Sequence, residues 1–502
     1  MSRAEPAARA IRTRWACRDG RLARWRQQDR FVLSFCNDPP CDGPPGSCER
    51  YLADAAAANF TVVTSWSGAD TIAARRRQLA ACEALGMPLI ACPVPAAATS
   101  GALPRANASL WGFLVRDEPT AADFPAVANK SSAIRRADPA ALAYVNMGYG
   151  TYTNATQLQE FIALMRPQVL SADFYPRFIQ SQEHNHTLDF LLTLTTLRAA
   201  SFQSNASDGG ALPLPPLPVW VYVDSFGFNQ RTAPPGLAIP DPTEAELRWQ
   251  VMAALATGAS GVLYFCYWTP PGEQFAVYPA LAFGPTAGNA STPYTLTKHH
   301  GQARRVNSVA RAFTTFLFGA RSTGLALLRG FDADRGATLR AGGVSVLLDA
   351  KPVSSSSSSS SGSSSSSSSG SSSSDGGSSA FDGDGFLVGQ FGGAFRSFST
   401  RTGRWHDHVA QLGAGSRSSS RACAGALVNA TAVMVQNWNW TDASSAELSF
   451  AAPLARVREV SPVHATLLPV VAASAAAGAL RVTLDAGAAR LFIVLAANTS
   501  TC

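Results

Sequence analysis

The sequence predicts a (β/α)8 barrel (TIM barrel) followed by an all-β sandwich. Three observations carry this. Eight short apolar runs, each closed by turn residues, recur between residues 31 and 268. Ala/Leu/Arg-rich segments of helical character lie between them. Beyond about residue 325 the helical segments stop and short alternating strands take over. Continuous apolar strands alternating with helices indicate parallel strands covered on the outside, and eight units in about 250 residues fit a closed barrel.

The eight runs are FVLSFCN (31–37), FTVVTSW (60–66), MPLIACP (87–93), LWGFLVRDEP (110–119), AYVNMG (143–148), VLSADFYP (169–176), PVWVYVDSFG (218–227) and SGVLYFCYW (260–268). Two intervening helices carry their own punctuation. TIAARRRQLAACEALG closes at Gly86. PTEAELRWQVMAALATG opens with Thr243 and Glu246 in capping-box spacing and closes at Gly258. No GxGxxG or GxxxxGK[ST] follows any strand, so the runner-up, an open doubly wound sheet with a nucleotide site, lacks support.

The sandwich strands are ATLRAGGVSVLLDA, FLVGQFGGAFRSFSTR, TAVMVQNWNW and LRVTLDAGAARLFIVLA. A Ser/Gly run across 354–379 cannot bury apolar surface and is expected as a loop inside this β domain. The expected organisation is a basic extension (1–30), a barrel (31–324) and an interrupted sandwich (325–502).

Composition excludes several classes. The chain has 502 residues, 46% of them hydrophobic and only 15% charged, enough apolar material for a large core. Of the net charge of +7, six units sit in residues 1–30, where nine Arg face three acidic residues. The folded part therefore lacks the basic stripe of a nucleic-acid groove. No apolar stretch is long enough to span a bilayer; the nearest, Leu467 to Leu480, is too short.

Ten of the fifteen Asn begin N-x-S/T: Asn59, Asn107, Asn129, Asn154, Asn185, Asn205, Asn289, Asn429, Asn439 and Asn498. About two or three are expected from Ser and Thr abundance. This predicts a secreted or secretory-lumen glycoprotein. The first residues, MSRAEPAARAIRTRWACRDGRLARW, have no apolar signal core, so the expectation is a start upstream of Met1. Nine Cys is an odd count. Cys36, Cys41 and Cys48 cluster in FCNDPPCDGPPGSC with spacing that fits a local disulfide better than a zinc site. Cys82, Cys92 and Cys266 lie in apolar runs and are expected as buried thiols.

A barrel of this kind works at the C-terminal ends of its strands. Standing there are Asn37 and Asp38 (run 1), Trp66 (run 2), Arg116, Asp117 and Glu118 (run 4), and Asn146 and Tyr149 (run 5). Runs 6 to 8 add Asp173 and Tyr175, then Trp220, Tyr222 and Asp224, then Tyr267, Trp268 and the nearby Glu273. This is a set of carboxylates ringed by aromatics. Glycoside hydrolysis needs two carboxyl groups about the scissile bond, and flat aromatics suit the C–H faces of sugar rings. His184, His186, His299 and His300 fall on predicted loops or helices, away from the strand ends, so neither a metal nor another cofactor is expected. Glu118 could instead be a helix-terminus carboxylate, and Asp173 and Asp224 could be turn residues.

The segment WGFLVRDEP resembles the strand-4 motif of (β/α)8 glycoside hydrolases of the large retaining clan A, the β-galactosidase-like members included. SADFYP, PTEAELRWQ…ALATGASGVLYFCYW and the FLVGQF opening of the β domain extend the resemblance. It implies that Glu118 is the general acid/base. It also implies a carbohydrate substrate, held by Trp66, Arg116, Asp117, Asn146, Tyr175, Trp220, Tyr267 and Trp268. Asp117 stands where the family usually has Asn, and β-strand 7 ends in Asp224 where the family has its nucleophilic Glu. The partner of Glu118 is therefore Asp224 or Asp173, or the site binds glycans without turnover. A different barrel chemistry, a lyase or a metal-dependent hydrolase, is the remaining class.

Overall fold

The structure is a computed structural model. It describes residues 30–66, 71–92, 107–176, 186–203, 217–227, 240–270, 278–285, 292–317, 320–329, 337–341, 344–349, 385–392, 396–399, 404–407, 430–450, 453–470 and 479–495. The basic extension, apart from Arg30, and the Ser-rich insertion lie outside the described residues.

Each apolar run contains one parallel strand: β1 (Val32–Phe35), β2 (Val63–Thr64), β3 (Leu89–Ala91), β4 (Leu110–Asp117), β5 (Leu142–Asn146), β6 (Leu170–Asp173), β7 (Val219–Asp224) and β8 (Gly261–Phe265). They form two four-stranded ribbons, ordered β1-β8-β7-β6 and β2-β3-β4-β5. Two seams join them. On one side the Thr61 and Val62 N–H groups donate to the Leu33 carbonyl at 2.8 and 3.2 Å, and the Ser34 and Thr64 hydroxyls meet at 2.9 Å. On the other, Met147 bridges to Ala172, with its N–H on the Ser171 carbonyl at 2.9 Å. The sheet is thus a closed barrel.

Strand alternation divides the apolar residues into two layers. Val32, Ile90, Leu142, Tyr144, Trp220, Tyr222 and Leu263 cluster in the lumen. Leu33, Val63, Leu89, Ala143, Val221 and Val262 join the outer core beneath the helices. The lumen is filled by large rings, and glycine makes room for one of them: a Cβ at Gly261 would stand 2.6 Å from Trp220 Cδ1.

The covering helices are α1 (Ser47–Ala57), α2 (Ile72–Ala84), α3 (Phe124–Ala137), the short α4 (Tyr149–Tyr152), α5 (Ala155–Met165), α6 (His186–Gln203), α7 (Glu244–Thr257) and α8 (Lys298–Leu317). A Cys41–Cys48 disulfide ties the β1–α1 loop to the first turn of α1. Cys82 and Cys266 are buried free thiols, whereas Cys92, at the end of its strand, is only half-buried. The Thr243–Glu246 capping box forms as the spacing predicts, and Gly258 ends α7 at φ +90°.

The C-terminal part is antiparallel. After the β9 (Ala282–Phe283) and β10 (Thr295–Leu296) hairpin come β11 (Arg321–Arg329), β12 (Ala337–Ala341), β13 (Val344–Asp349) and β14 (Gly385–Gly392). A β15 (Arg396–Ser399) and β16 (Arg404–Asp407) hairpin follows. The last six strands are β17 (Thr431–Asn437), β18 (Ser444–Phe450), β19 (Val457–Val460), β20 (Leu467–Pro469), β21 (Ala479–Leu484) and β22 (Ala489–Val494). Sheets β11-β14-β17-β22-β19-β20 and β12-β13-β18-β21 enclose a common core. Val388, Val433, Val435 and Phe492 come from the first sheet, Leu448, Leu480 and Val482 from the second. This is the sandwich, and β11 enters it at Arg321, just ahead of residue 325.

The outer face of the six-stranded sheet rests on α7. Trp438 and Trp440 set their rings on Trp249 at 4.7 and 4.6 Å, and Gln436 Nε2 donates to the Trp249 carbonyl at 2.8 Å. At Gly389 the sheet comes so near that a Cβ would lie 2.1 Å from the Ala256 carbonyl oxygen.

Two substitutions separate these contributions. Thr243→Ala removes one cap and should cost about 1 kcal/mol. Gly389→Ala forces sheet and helix apart and should cost about 1–3 kcal/mol. Urea midpoints at unchanged slope check both. A Gly389→Ala protein as stable as the parent contradicts the close approach.

Candidate active site

The C-terminal strand ends bring Asp117, Glu118, Asn146 and Asp173 together. Asp117 ends β4, Asn146 ends β5 and Asp173 ends β6. The Glu118 N–H continues the β4–β5 ladder by donating to the Asn146 carbonyl at 2.9 Å. Glu118 then adopts φ +42°, a left-handed conformation that is uncommon and costly for a residue with a Cβ. Gly148 makes space for it: a Cβ there would meet Glu118 Cβ, Cγ and Cδ at 3.1–3.3 Å. The helical turn that follows is capped by Thr120 and Asp123, so Glu118 is not used as its cap.

Asn146 organises the group. Its Nδ2 donates to Asp117 Oδ1 at 3.2 Å and to Asp173 Oδ1 at 3.1 Å. Its Oδ1 accepts from Ser171 Oγ at 2.9 Å. The Ser171 hydroxyl meets Tyr144 OH at 2.8 Å, and Tyr144 OH reaches Tyr222 OH at 3.4 Å. The Tyr152 hydroxyl donates to the Asp173 carbonyl at 2.8 Å.

Protonation follows from this packing. Burial pushes the Asp117 carboxyl up to about 7, against the pull of the Asn146 hydrogen bond; the charge of Glu118 raises it and that of Arg116 lowers it. Burial also holds Asp173 well above the usual carboxylate range, and a hydrogen bond with the Glu118 carboxyl adds to the rise. Asp173 therefore keeps its proton to a higher pH than an exposed carboxyl does.

Aromatic rings line the neighbourhood. Tyr175 stacks on Phe265 at 5.2 Å, Phe265 meets Phe226 at 5.2 Å, and Trp66 packs edge-on against Tyr222 at 6.5 Å. Tyr149 is 58% exposed at the start of α4. Asp38 takes no part in the carboxylate cluster; its carboxylate accepts the Trp66 N–H at 2.7 Å and Ser65 Oγ at 2.6 Å.

Several sequence-based expectations need correction. Trp220 and Tyr267 are 0% exposed and Trp268 7%, so none is an open platform. Trp220 fills the lumen. Tyr267 packs against Phe35 at 4.7 Å, and Trp268 stacks on Tyr294 at 5.9 Å, both in the outer core. Phe265 is the ring that β8 offers instead. The alternation that puts Leu263 in the lumen also points there to Phe265, so the signal was present in the strand. Asn146 is buried with both donor directions on carboxylates, so it orients those groups and is not a substrate contact. Arg116 is exposed beside Asp117. Asp224 shares the lumen register of Trp220 and Tyr222 but is 0% exposed, and its N–H donates to Gln250 Oε1 on α7 at 3.1 Å.

His299 pairs with Asp241 at 2.8 Å and His300 with the Asp54 carbonyl at 3.0 Å, so both are tied into the scaffold. His184 lies outside the described residues, as does Glu273, and nothing is described of the His186 side chain. Among the described residues no three His, Cys, Asp or Glu side chains are arranged to ligate a metal ion. Among the same residues no helix is long and apolar enough to cross a membrane.

No family model and no curated protein matches the sequence. Solved structures similar to this chain include glycoside hydrolases. One, described simply as a glycoside hydrolase, is 9% identical with a TM-score of 0.45, covering 93% of both chains. A family 5 glycoside hydrolase from Bacteroides vulgatus is 13% identical with a TM-score of 0.41, covering 64% of this chain and 77% of that one. A β-galactosidase from the psychrophilic Marinomonas ef1 is 10% identical with a TM-score of 0.40, over 56% of this chain and 60% of the other. The chain spans about 60% of the length of that enzyme.

The Asp117 environment predicts a pH dependence of stability. A carboxyl at about 7 when folded and about 3.9 when unfolded binds its proton more tightly in the native state. Its contribution is fully present below about pH 4 and is lost as pH rises through about 7. Asp117→Asn keeps the shape and removes the titration. The fall in Tm between about pH 5 and about pH 8 should shrink in this variant; an unchanged fall contradicts the burial of an ionisable group there.

Proposed function

We propose that this barrel hydrolyses glycosidic bonds, with Glu118 as the general acid/base. The observation that carries the reading is the gathering of Asp117, Glu118 and Asp173 at the C-terminal face of the barrel, with Asn146 bridging the two aspartates. A general acid must hold a proton near neutral pH, and neighbouring carboxyl groups favour keeping one among them. Asn146 donates to both Asp173 and Asp117, which supports the ionised form of each against the effect of burial.

In the proposed cycle the sugar enters between Glu118 and Asp173. Glu118 gives its proton to the leaving-group oxygen as the C1–O bond breaks. Asp173 attacks C1 to form a glycosyl-enzyme, and water then cleaves that bond while Glu118 takes back a proton. A retaining pair works at about 5–5.5 Å. Tyr175, Phe265 and Trp66 supply apolar ring faces for the sugar. Asp224, the other candidate nucleophile, would have to become accessible first.

The burial of Asp224 favours a second reading, a barrel that binds glycans without turnover, because the nucleophile position on β7 is closed.

Kinetics on aryl glycosides separates the two. Glu118→Gln should lower kcat/KM by about 10²–10⁴-fold, and Asp173→Asn should lower it at least as far while Asp224→Asn has a smaller effect. Full activity in Glu118→Gln sinks the acid/base assignment. Sugar binding by calorimetry with no turnover across the panel establishes the binding-only reading.

A further inference from the structure

The N-x-S/T sites stand apart from the barrel chemistry. Five lie within the described residues, and their environments differ sharply.

Asn129 is exposed on α3, whose buried side is formed by Phe124, Val127, Ser131 and Ile134. Asn154 is exposed as the N-cap of α5. Its Oδ1 accepts the Thr156 and Gln157 N–H groups at 3.0 and 3.1 Å, which commits the oxygen to the helix and leaves Nδ2 for a linkage. The cap survives such a linkage, since the sugar joins nitrogen and the oxygen keeps its acceptor role. Asn59 and Asn107 are half-buried, and their Nδ2 atoms donate to Ser308 Oγ at 2.9 Å and Glu83 Oε2 at 3.1 Å.

Asn439 is the opposite extreme. It is 6% exposed. Its Oδ1 accepts from the Thr441 N–H and hydroxyl, both at 2.7 Å, and from the Asp442 N–H at 3.1 Å. The neighbouring Trp438 and Trp440 are the rings that pack on Trp249. A bulky hydrophilic group on Asn439 would have to break open the turn that its buried side chain holds together.

We propose that Asn129 and Asn154 are N-glycan acceptors and that Asn439, despite its sequon, is not. In the transfer, the Nδ2–C1 bond forms as the bond from C1 to a pyrophosphate-linked oligosaccharide donor breaks. One amide proton leaves with the lipid pyrophosphate, and nothing is oxidised or reduced. The proposal places the chain in the secretory pathway. The Cys41–Cys48 disulfide fits an oxidising compartment, and ten sequons among fifteen Asn fit the same placement. None of this depends on the glycosidase reading.

The test is site occupancy in the full chain secreted from a eukaryotic cell. An N-glycosidase converts each occupied Asn to Asp in heavy-oxygen water, and peptide mass spectrometry reads the conversions. Asn129 and Asn154 should convert and Asn439 should remain Asn. Asn129→Gln and Asn154→Gln should each remove one glycan step in gel mobility while secretion continues. Either site unmodified, or conversion at Asn439 in protein with a native circular dichroism spectrum, overturns the proposal.

Discussion

A parallel sheet leaves unpaired N–H and C=O groups at both edges, and this chain satisfies them by closing the sheet. The two seams, Thr61 and Val62 on Leu33 and Met147 on Ser171, are the bonds on which the architecture depends. Closure puts the C-terminal ends of all eight strands at one face. Because β4, β5 and β6 are neighbours around the ring, their last residues stand side by side. Asp117, Asn146 and Asp173 meet for that reason and not through proximity in sequence. The seam between β5 and β6 is also the place where the second ribbon starts, so the Asn146–Asp173 hydrogen bond spans the join.

The carboxylate cluster shows how a closed barrel tunes chemistry with few charges. Burial alone would raise both aspartates, and a single amide moderates that rise on both. The amide is in turn held by Ser171 and two tyrosines, all drawn from the inward-facing residues of β5, β6 and β7. Side chains that fill the lumen therefore also set the orientation of the polar groups above them.

Much of the fold was legible because strand alternation and helix punctuation are local. The eight runs each contain their strand, and the Thr243–Glu246 box and Gly258 stop form where the residues indicate. Glu118 stood out through WGFLVRDEP, yet nothing local foretold that Asp173 of β6 would share its end of the barrel, because that neighbourhood depends on ring closure. Tyr267 and Trp268 looked like platforms because they follow β8 directly. The chain turns after Cys266, and the outer core takes them in. Asn146 looked like a substrate contact because it ends a strand; that its amide would face two carboxylates is a property of three strands together.

Helix α7 has a barrel on one side and a sheet on the other, and from Trp249 to Thr257 every residue is buried. An amphipathic helix could let its domain go and keep a wet face. Over those residues this one has no wet face to keep. The barrel and the sandwich are therefore not modules that evolution or an engineer can exchange freely. Removing the sandwich would strip water-excluding cover from Trp249 and from the backbone at Ala256, and a free barrel would carry an apolar scar along its last helix. The two-part architecture is, in energetic terms, a single cooperative object with one shared spine.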